Sequence, residues 1–348
     1  MAKEQGKYSR FLQTAIRLLF ALVIIGGLIW FRREQLQKCL NSFNFFFVIP
    51  SILFYLLTNL ISAWRWCKLA NLQNFDISLF ESFSLTMQGN FFSLVIPGGA
   101  IGGDVAKMGL LAKRSRPGTR GEALFSVFMD RVVGMLALFA LAIALLLTFF
   151  TEISTVKIPY FTTSSFQMKL LTTGLILLCL AGIAAGIAIF FHKTLRKIPG
   201  IGKLMAWMDS RFSNLVSRVT GMADLYAKYP GKMIWLVVVS IFFIHIFSTL
   251  PLCFLIAGTG TALDIRQILL ITTAATIGNI AGLIPLTPGG IGLRDLTAIA
   301  ILGTVGISQG TGETAQLMST GLGVILNLCG GLFFAFDGGR TSNVVKRS

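Results

Sequence analysis

Charge is what this chain has least of. Only 13% of its residues are charged while 54% are hydrophobic, and the mean hydropathy is +0.77. So little polar surface cannot cover that much apolar mass in water, which excludes a soluble globule and makes a bilayer the expected solvent. Acids are scarcer still, 14 against 30 Lys and Arg, leaving a formal net charge of +16. In a soluble chain such an excess would suggest nucleic acid. Here most basic residues fall between apolar runs long enough to span a membrane, so they read as topology signal and as contact with anionic lipid. A nucleic-acid partner is not expected.

Metal-ligating side chains are nearly missing too. The two histidines, His192 and His245, read as an interfacial and a span-embedded residue rather than a pair. Cys39, Cys67, Cys179, Cys253 and Cys329 are scattered singly, without the spacing of a zinc site or redox motif, and read as small apolar filler. Glu81, Asp104 and Asp130 lack the tight spacing of a divalent-cation site. There is no nucleotide-binding motif and no nucleophile–base constellation. No catalytic residue, metal or cofactor is therefore expected.

What is present is a series of spans. Apolar runs occupy about residues 11–31, 43–64, 123–150, 166–191, 233–257 and 315–336, each long enough to cross a bilayer. The first, behind Lys3, Lys7 and Arg10, is too long for a signal peptide and ends at Trp30-Phe31-Arg32-Arg33 without a small-residue cleavage site. It is expected to be an uncleaved span. Two further apolar segments, 79–111 and 268–302, are broken near their middles by Pro97-Gly98-Gly99 and by Pro285 to Gly290. Proline removes a donor and crowds the preceding turn, while glycine tolerates a reversal. One bent span or a re-entrant hairpin would fit.

Loop charge selects the hairpin. Lys107, Lys113, Arg114, Arg116 and Arg120 form a stretch without acids, and residues 193–232 carry eight Lys and Arg against Asp209 and Asp224. Both stretches are expected in the cytoplasm. Arg65 and Lys68, read as following the second span, are expected there as well, so the segment between them and Lys113 must leave and re-enter one face. The same count makes the second hairpin enter from outside and puts Arg340, Lys346 and Arg347 in the cytoplasm. Arg32, Arg33 and Lys38 oppose this by falling in an outside loop.

The expected fold is an all-α polytopic membrane protein of about six transmembrane helices and two re-entrant helical hairpins in an inverted repeat. Residues 1–150 form the first unit, 151–336 the second and 337–348 a cytoplasmic tail, with both termini inside the cytoplasmic membrane. Within the second unit, Leu204, Met208, Phe212, Leu215, Val219, Met222 and Tyr226 recur at helical spacing. Residues 203–229 are expected to form an amphipathic helix, lying in the headgroup layer or packed on the protein's own cytoplasmic face.

Several motifs stand out: Ala63-Trp64-Arg65-Trp66; Asn90 with Pro97 and Gly102-Gly103-Asp104; Asp130-Arg131 with Gly134; and Pro285-Leu-Thr287-Pro288-Gly289-Gly290-Ile-Gly292. At these the chain resembles the lysylphosphatidylglycerol synthase transmembrane-region family, over nearly its whole length. Lys107, Asp130 and Asp295 depart from the family pattern but preserve charge. The resemblance implies lipid handling, the movement of aminoacylated phosphatidylglycerol or polyprenyl-linked lipid between leaflets. The soluble aminoacyl-transferring domain of the two-part synthases is not expected, so a separate lipid-modifying enzyme becomes a possible partner.

The residues themselves support that chemistry. A headgroup phosphate in hydrocarbon costs several kcal/mol or more if unpaired. New helices beginning near Gly102-Gly103 and near Gly289-Gly290 would present free N–H groups to an anion, with Lys107 or Arg294 to neutralise it. Asp104 and Asp295 read as first-turn acids, as ion-pair partners of Arg131 or Arg294, or as contacts to a cationic headgroup. Asn90 and Asn279 read as ties for carbonyls freed by the prolines, or as headgroup contacts with Thr287. Asp130 and Arg131 read as a buried ion network or substrate contact, and Arg65 as a snorkelling side chain. Pro97, Gly98, Gly99, Pro285, Pro288 and Gly292 are the structural breaks. The expected function is translocation of an anionic or aminoacylated phospholipid or a polyprenyl-linked lipid across the cytoplasmic membrane. An integral-membrane enzyme of lipid or polyprenyl-phosphate metabolism and a small-solute or ion transporter are the alternatives.

Overall fold

The computed structural model describes residues 43–73, 77–96, 100–115, 119–156, 164–190, 195–211, 215–284, 292–303 and 306–337, with Gln37 and Asn41. The expected first span (11–31), most of the two Pro-Gly breaks and the tail lie outside them. Among the described residues all regular structure is helical, as a chain solvated by hydrocarbon requires when its backbone groups must pair within their own segment.

The helices are α1 (Val48–Leu72), α2 (Leu79–Val95), α3 (Ala100–Arg114), α4 (Arg120–Thr148), α5 (Phe150–Ser154), α6 (Ser165–Phe190), α7 (Pro199–Arg211), α8 (Leu215–Ala227), α9 (Pro230–Val239), α10 (Leu250–Gly258), α11 (Ile265–Ala281), α12 (Leu293–Leu302) and α13 (Gln309–Asp337). Among the described residues, five helical stretches are long and apolar enough to cross a membrane: Phe45–Leu72, Arg120–Thr148, Ser165–Phe190, Pro230–Gly258 and Gly310–Phe336. They coincide with the five expected spans that fall among the described residues. The Phe45–Leu72 helix, however, runs eight residues beyond the expected end, which places Arg65 and Lys68 inside it rather than in a loop.

The Pro230–Gly258 stretch is not uniform. A π-helical turn, Ser240–Ile246, joins α9 to α10, and Pro251 occupies the first turn of α10. Proline cannot supply an N–H to the ladder, so the irregular register ends where the chain has no donor to continue it.

The two broken segments each form a pair of packed antiparallel helices, α2 with α3 and α11 with α12. Their first arms start on side-chain caps. Ser78 accepts from the Glu81 N–H at 3.1 Å, and Asp264 and Gln267 form a reciprocal capping box. Close approach rests on glycine at matching places. A Cβ on Gly103 would run into the Gly89 carbonyl, and one on Gly278 would stand 2.8 Å from the Arg294 carbonyl. The arms also brace the spans: α2 lies on α13, and Gly330 is where the Met87 carbonyl touches that helix.

The expected amphipathic helix is two helices, α7 and α8, with Phe212 outside the described residues. They behave differently. Tyr226 of α8 is fully buried and donates its hydroxyl to the Leu69 carbonyl at 3.1 Å, while Gln73 donates to the Met222 carbonyl at 3.0 Å. α8 is thereby fastened to the end of α1. α7 instead leaves Ile201, Leu204 and Trp207 exposed.

Candidate functional site

One face of α1 carries Tyr55, Asn59, Ser62 and Arg65 at helical spacing. Isolated polar groups in hydrocarbon are costly, so such a stripe must find partners inside the bundle. Each does. The Tyr55 hydroxyl donates to Asn327 Oδ1 of α13 at 2.6 Å, and Asn59 Oδ1 accepts from Asn90 Nδ2 of α2 at 2.7 Å. Asn90 therefore ties α2 to α1.

Arg65 closes the stripe. Its Nε donates to Asp130 Oδ1 of α4 at 2.8 Å, and its Nη1 to Ser240 Oγ at 2.9 Å. Only 5% of the residue is exposed, so the expected snorkelling is corrected: the side chain turns into the protein because a buried carboxylate waits there. The π-helical turn supplies two of the neighbours. Ser240 accepts from Arg65, and His245 donates from Nε2 to the Gly134 carbonyl at 2.9 Å.

These groups wall a cavity of about 270 Å³ shared by α1, α2, α3, α4 and the π-helical turn. Its polar end holds Arg65, Lys107, Arg131, Asp104 and Asp130, and its apolar end Met135, Leu138, Ile244 and Leu283. Three cations against two carboxylates leave one formal positive charge. Arg131 and Asp104 pair with each other, Nε to Oδ2 at 2.8 Å. Lys107 is the least satisfied cation. It is 6% exposed, lies 3.6 Å over the Trp66 ring and makes one hydrogen bond, to Thr86 Oγ1 at 3.3 Å. An ammonium carries three donors, so this one has capacity to spare in a site where solvent is scarce.

The structure thus gathers Asn90, Gly103, Asp104, Lys107, Asp130 and Arg131 around one cavity. Gly102 is buried on α3 beside it. Among the described residues, the second broken segment contributes Leu283 alone. Arg294 and Asp295 form a separate buried cluster, in which Asp295 accepts from Arg294, Gln316, Thr320 and the Gly292 N–H. Gly292 has a φ of 101°, a backbone that favours glycine. Asn279 is half-buried on α11, away from this cavity. Pro97, Gly98, Gly99, Pro285, Thr287, Pro288, Gly289 and Gly290 lie outside the described residues, as does His192.

Sequence reasoning noted Arg65 and His245 without assigning either to the site, and it passed over Asn59 and Ser240. The i, i+4, i+7, i+10 polar stripe on α1 was the available signal for Asn59 and Arg65. Among the described residues no group of three His, Cys, Asp or Glu comes together as a metal site. Cys67, Cys179 and Cys253 are buried in apolar packing.

Five membrane-length helices among the described residues, three of which wall a charged internal cavity, define a multi-pass helical membrane protein. The chain belongs to the lysylphosphatidylglycerol synthase TM region family, whose model matches residues 18–331. It is similar to a UPF0104 membrane protein of Pyrococcus horikoshii, 21% identical over 311 residues that cover 86% of this chain and 91% of that protein. No solved structure matches.

Proposed function

We propose that the protein translocates an anionic membrane lipid, holding the headgroup phosphate in the cavity between α1, α2, α3 and α4. The observation that carries this reading is Lys107, a buried ammonium with one hydrogen bond, aimed into a cavity with one surplus positive charge. A phosphodiester brings one negative charge and acceptor oxygens, which would neutralise the site and fill the donors that Lys107 and Arg65 keep free. The apolar end suits the glycerol and first methylenes of the same molecule.

Volume favours a headgroup over a whole lipid. The cavity lies below the roughly 300–1,000 Å³ of pockets that enclose drug-sized ligands, so two acyl chains must stay outside it. A water-filled pore for small solutes has no use for that division.

Packing supports an inverted repeat as the machinery. α2 lies on α13 while α11 lies on α4, and α3 lies on α4 while α12 lies on α13, with α1 against α10 between them. Exchanging the halves reproduces the contacts. In each half a carboxylate early in the second hairpin arm reaches the following span, Asp104 to Arg131 and Asp295 to Thr320. In this reading both hairpins re-enter the membrane, from opposite faces, and rocking of the halves exposes the cavity to each leaflet in turn. α7, with Lys203 beside its exposed apolar side chains, rests on the anionic cytoplasmic surface.

Reconstitution tests this. Purified protein in vesicles should move fluorescent phosphatidylglycerol between leaflets without altering it, and Lys107→Met should stop the movement. A new lipid product would make the protein an enzyme. Movement of a small solute with no lipid movement would make it a solute transporter.

A further inference from the structure

The second ion pair of the cavity differs from the first in where it lies. Arg65 and Asp130 are sealed inside, but the Arg131 side chain is 44% exposed and that of Asp104 23%. Arg131 and Asp104 therefore stand both on the cavity wall and on the outer surface. The surface there is apolar. Ile101 and Val105 flank Asp104 on α3, Phe128 lies one turn before Arg131 on α4, and all three are exposed. Charged residues at a mouth that opened to water would be flanked by polar neighbours, whereas apolar flanks are what a bilayer-facing wall presents.

We infer that the Asp104–Arg131 pair is a lateral gate: it closes the cavity toward the bilayer between α3 and α4, and a lipid headgroup passes in and out by parting it. This rests on the headgroup-site reading above and adds the route and its control. The chains of the lipid would lie along Ile101, Val105 and Phe128 while the phosphate passes the gate to Lys107 and Arg65. The pair suits a gate in its chemistry. Two of the three Arg131 guanidinium nitrogens, Nε and Nη2, meet one carboxylate oxygen, Asp104 Oδ2. An entering phosphate would give the guanidinium an equivalent partner, which lowers the cost of parting the pair.

The test uses full-length protein loaded with fluorescent phosphatidylglycerol and chased with unlabelled lipid, measuring both release rate and equilibrium affinity. Asp104→Asn and Arg131→Gln should each speed release and capture by severalfold, although the first adds to the surplus positive charge of the cavity and the second removes it; a purely electrostatic effect would instead slow release in one variant and speed it in the other. The reversed pair, Asp104→Arg with Arg131→Asp, should restore slow exchange. Slower or unchanged exchange in either single variant, or failure of the reversed pair to restore slow exchange, would overturn the gate. Lys107→Met separates the two ideas. Retention of lipid by that variant would sink the headgroup site itself, whereas loss of lipid there alongside wild-type exchange in the gate variants would sink the gate alone.

Discussion

The Arg65 guanidinium rests on Gly134: a Cβ at that position would stand 3.2 Å from both Nη1 and Nη2. One glycine on α4 thus sets how deeply a charge from α1 can sit, and the carbonyl of the same glycine holds His245. Gly134→Ala would push the guanidinium aside by a few tenths of an ångström. Its pairing with Asp130 would survive while its free donors moved off line. The expected result is a severalfold fall in lipid movement with a change in stability of about 1 kcal/mol or less. Thermal unfolding and vesicle transport of the same preparation measure both.

Asp130→Asn should be much more damaging to the fold. It leaves Arg65 buried without its counter-charge, and breaking a buried pair from one side typically costs about 3–5 kcal/mol. Removing both charges together, with Arg65→Met and Asp130→Leu, should recover much of the lost melting temperature while leaving transport dead. If the single and double variants unfold alike, the pair does not hold α1 to α4.

Lys107→Met should separate stability from function in the opposite sense. The ammonium is buried with few partners, so an apolar replacement of similar length should leave the protein as stable or more so. Lipid retention and movement should be lost. A destabilised variant would mean that the contact with Trp66 is structural.

Gly103→Ala tests the hairpin. The new methyl would meet the Gly89 backbone carbonyl, which cannot swing away as a side chain could. Overpacking of this kind costs about 1–3 kcal/mol, and α2 and α3 should separate. Gly109→Ala on the same helix, where nothing lies within 4 Å, is the control and should be harmless.

Acid should loosen α5 from the start of α11. Arg266 Nη2 bonds Glu152 Oε1 at 2.6 Å, and this hydrogen bond lowers the carboxyl pKa below its usual value. A lowered folded-state pKa gives stability that is present above the unfolded pKa and lost as pH falls through the folded one. Both side chains are partly solvated, so the effect is small. Wild type and Glu152→Gln should differ slightly in melting temperature at neutral pH and converge in acid below the ordinary glutamate range. A gap that widens in acid would contradict the bridge.

The spans were legible because length and hydropathy leave few alternatives in hydrocarbon, and the paired helices of the two broken segments because Pro97-Gly98-Gly99 and Pro285 to Gly290 interrupt apolar runs that neither residue type can carry straight on. Asp104 and Lys107 were visible as charges in the wrong solvent. Arg65 was not, because a basic residue near the end of an apolar run looks the same whether it reaches for water or for Asp130. The choice depends on α4, a helix distant in sequence. The π-helical turn left no trace at all: a shift in hydrogen-bond register changes no residue type, although it delivers Ser240 and His245. The second hairpin shows the limit in the other direction. Arg294 reads as a charge at membrane depth that could serve a headgroup or Asp295, and it donates to Asp295 and Thr320, away from the cavity.

The single surplus charge of the cavity has an electrical consequence. With a monoanionic lipid in place the site is neutral, and a transmembrane voltage does no work on it as it changes sides. Empty, it carries one positive charge, on which the field acts with about 2.3 kcal/mol per 100 mV for a full crossing. Lipid-for-lipid exchange, in which the site is loaded both ways, should therefore ignore a potassium diffusion potential imposed on vesicles. Net lipid flux, which needs the empty return, should respond to it.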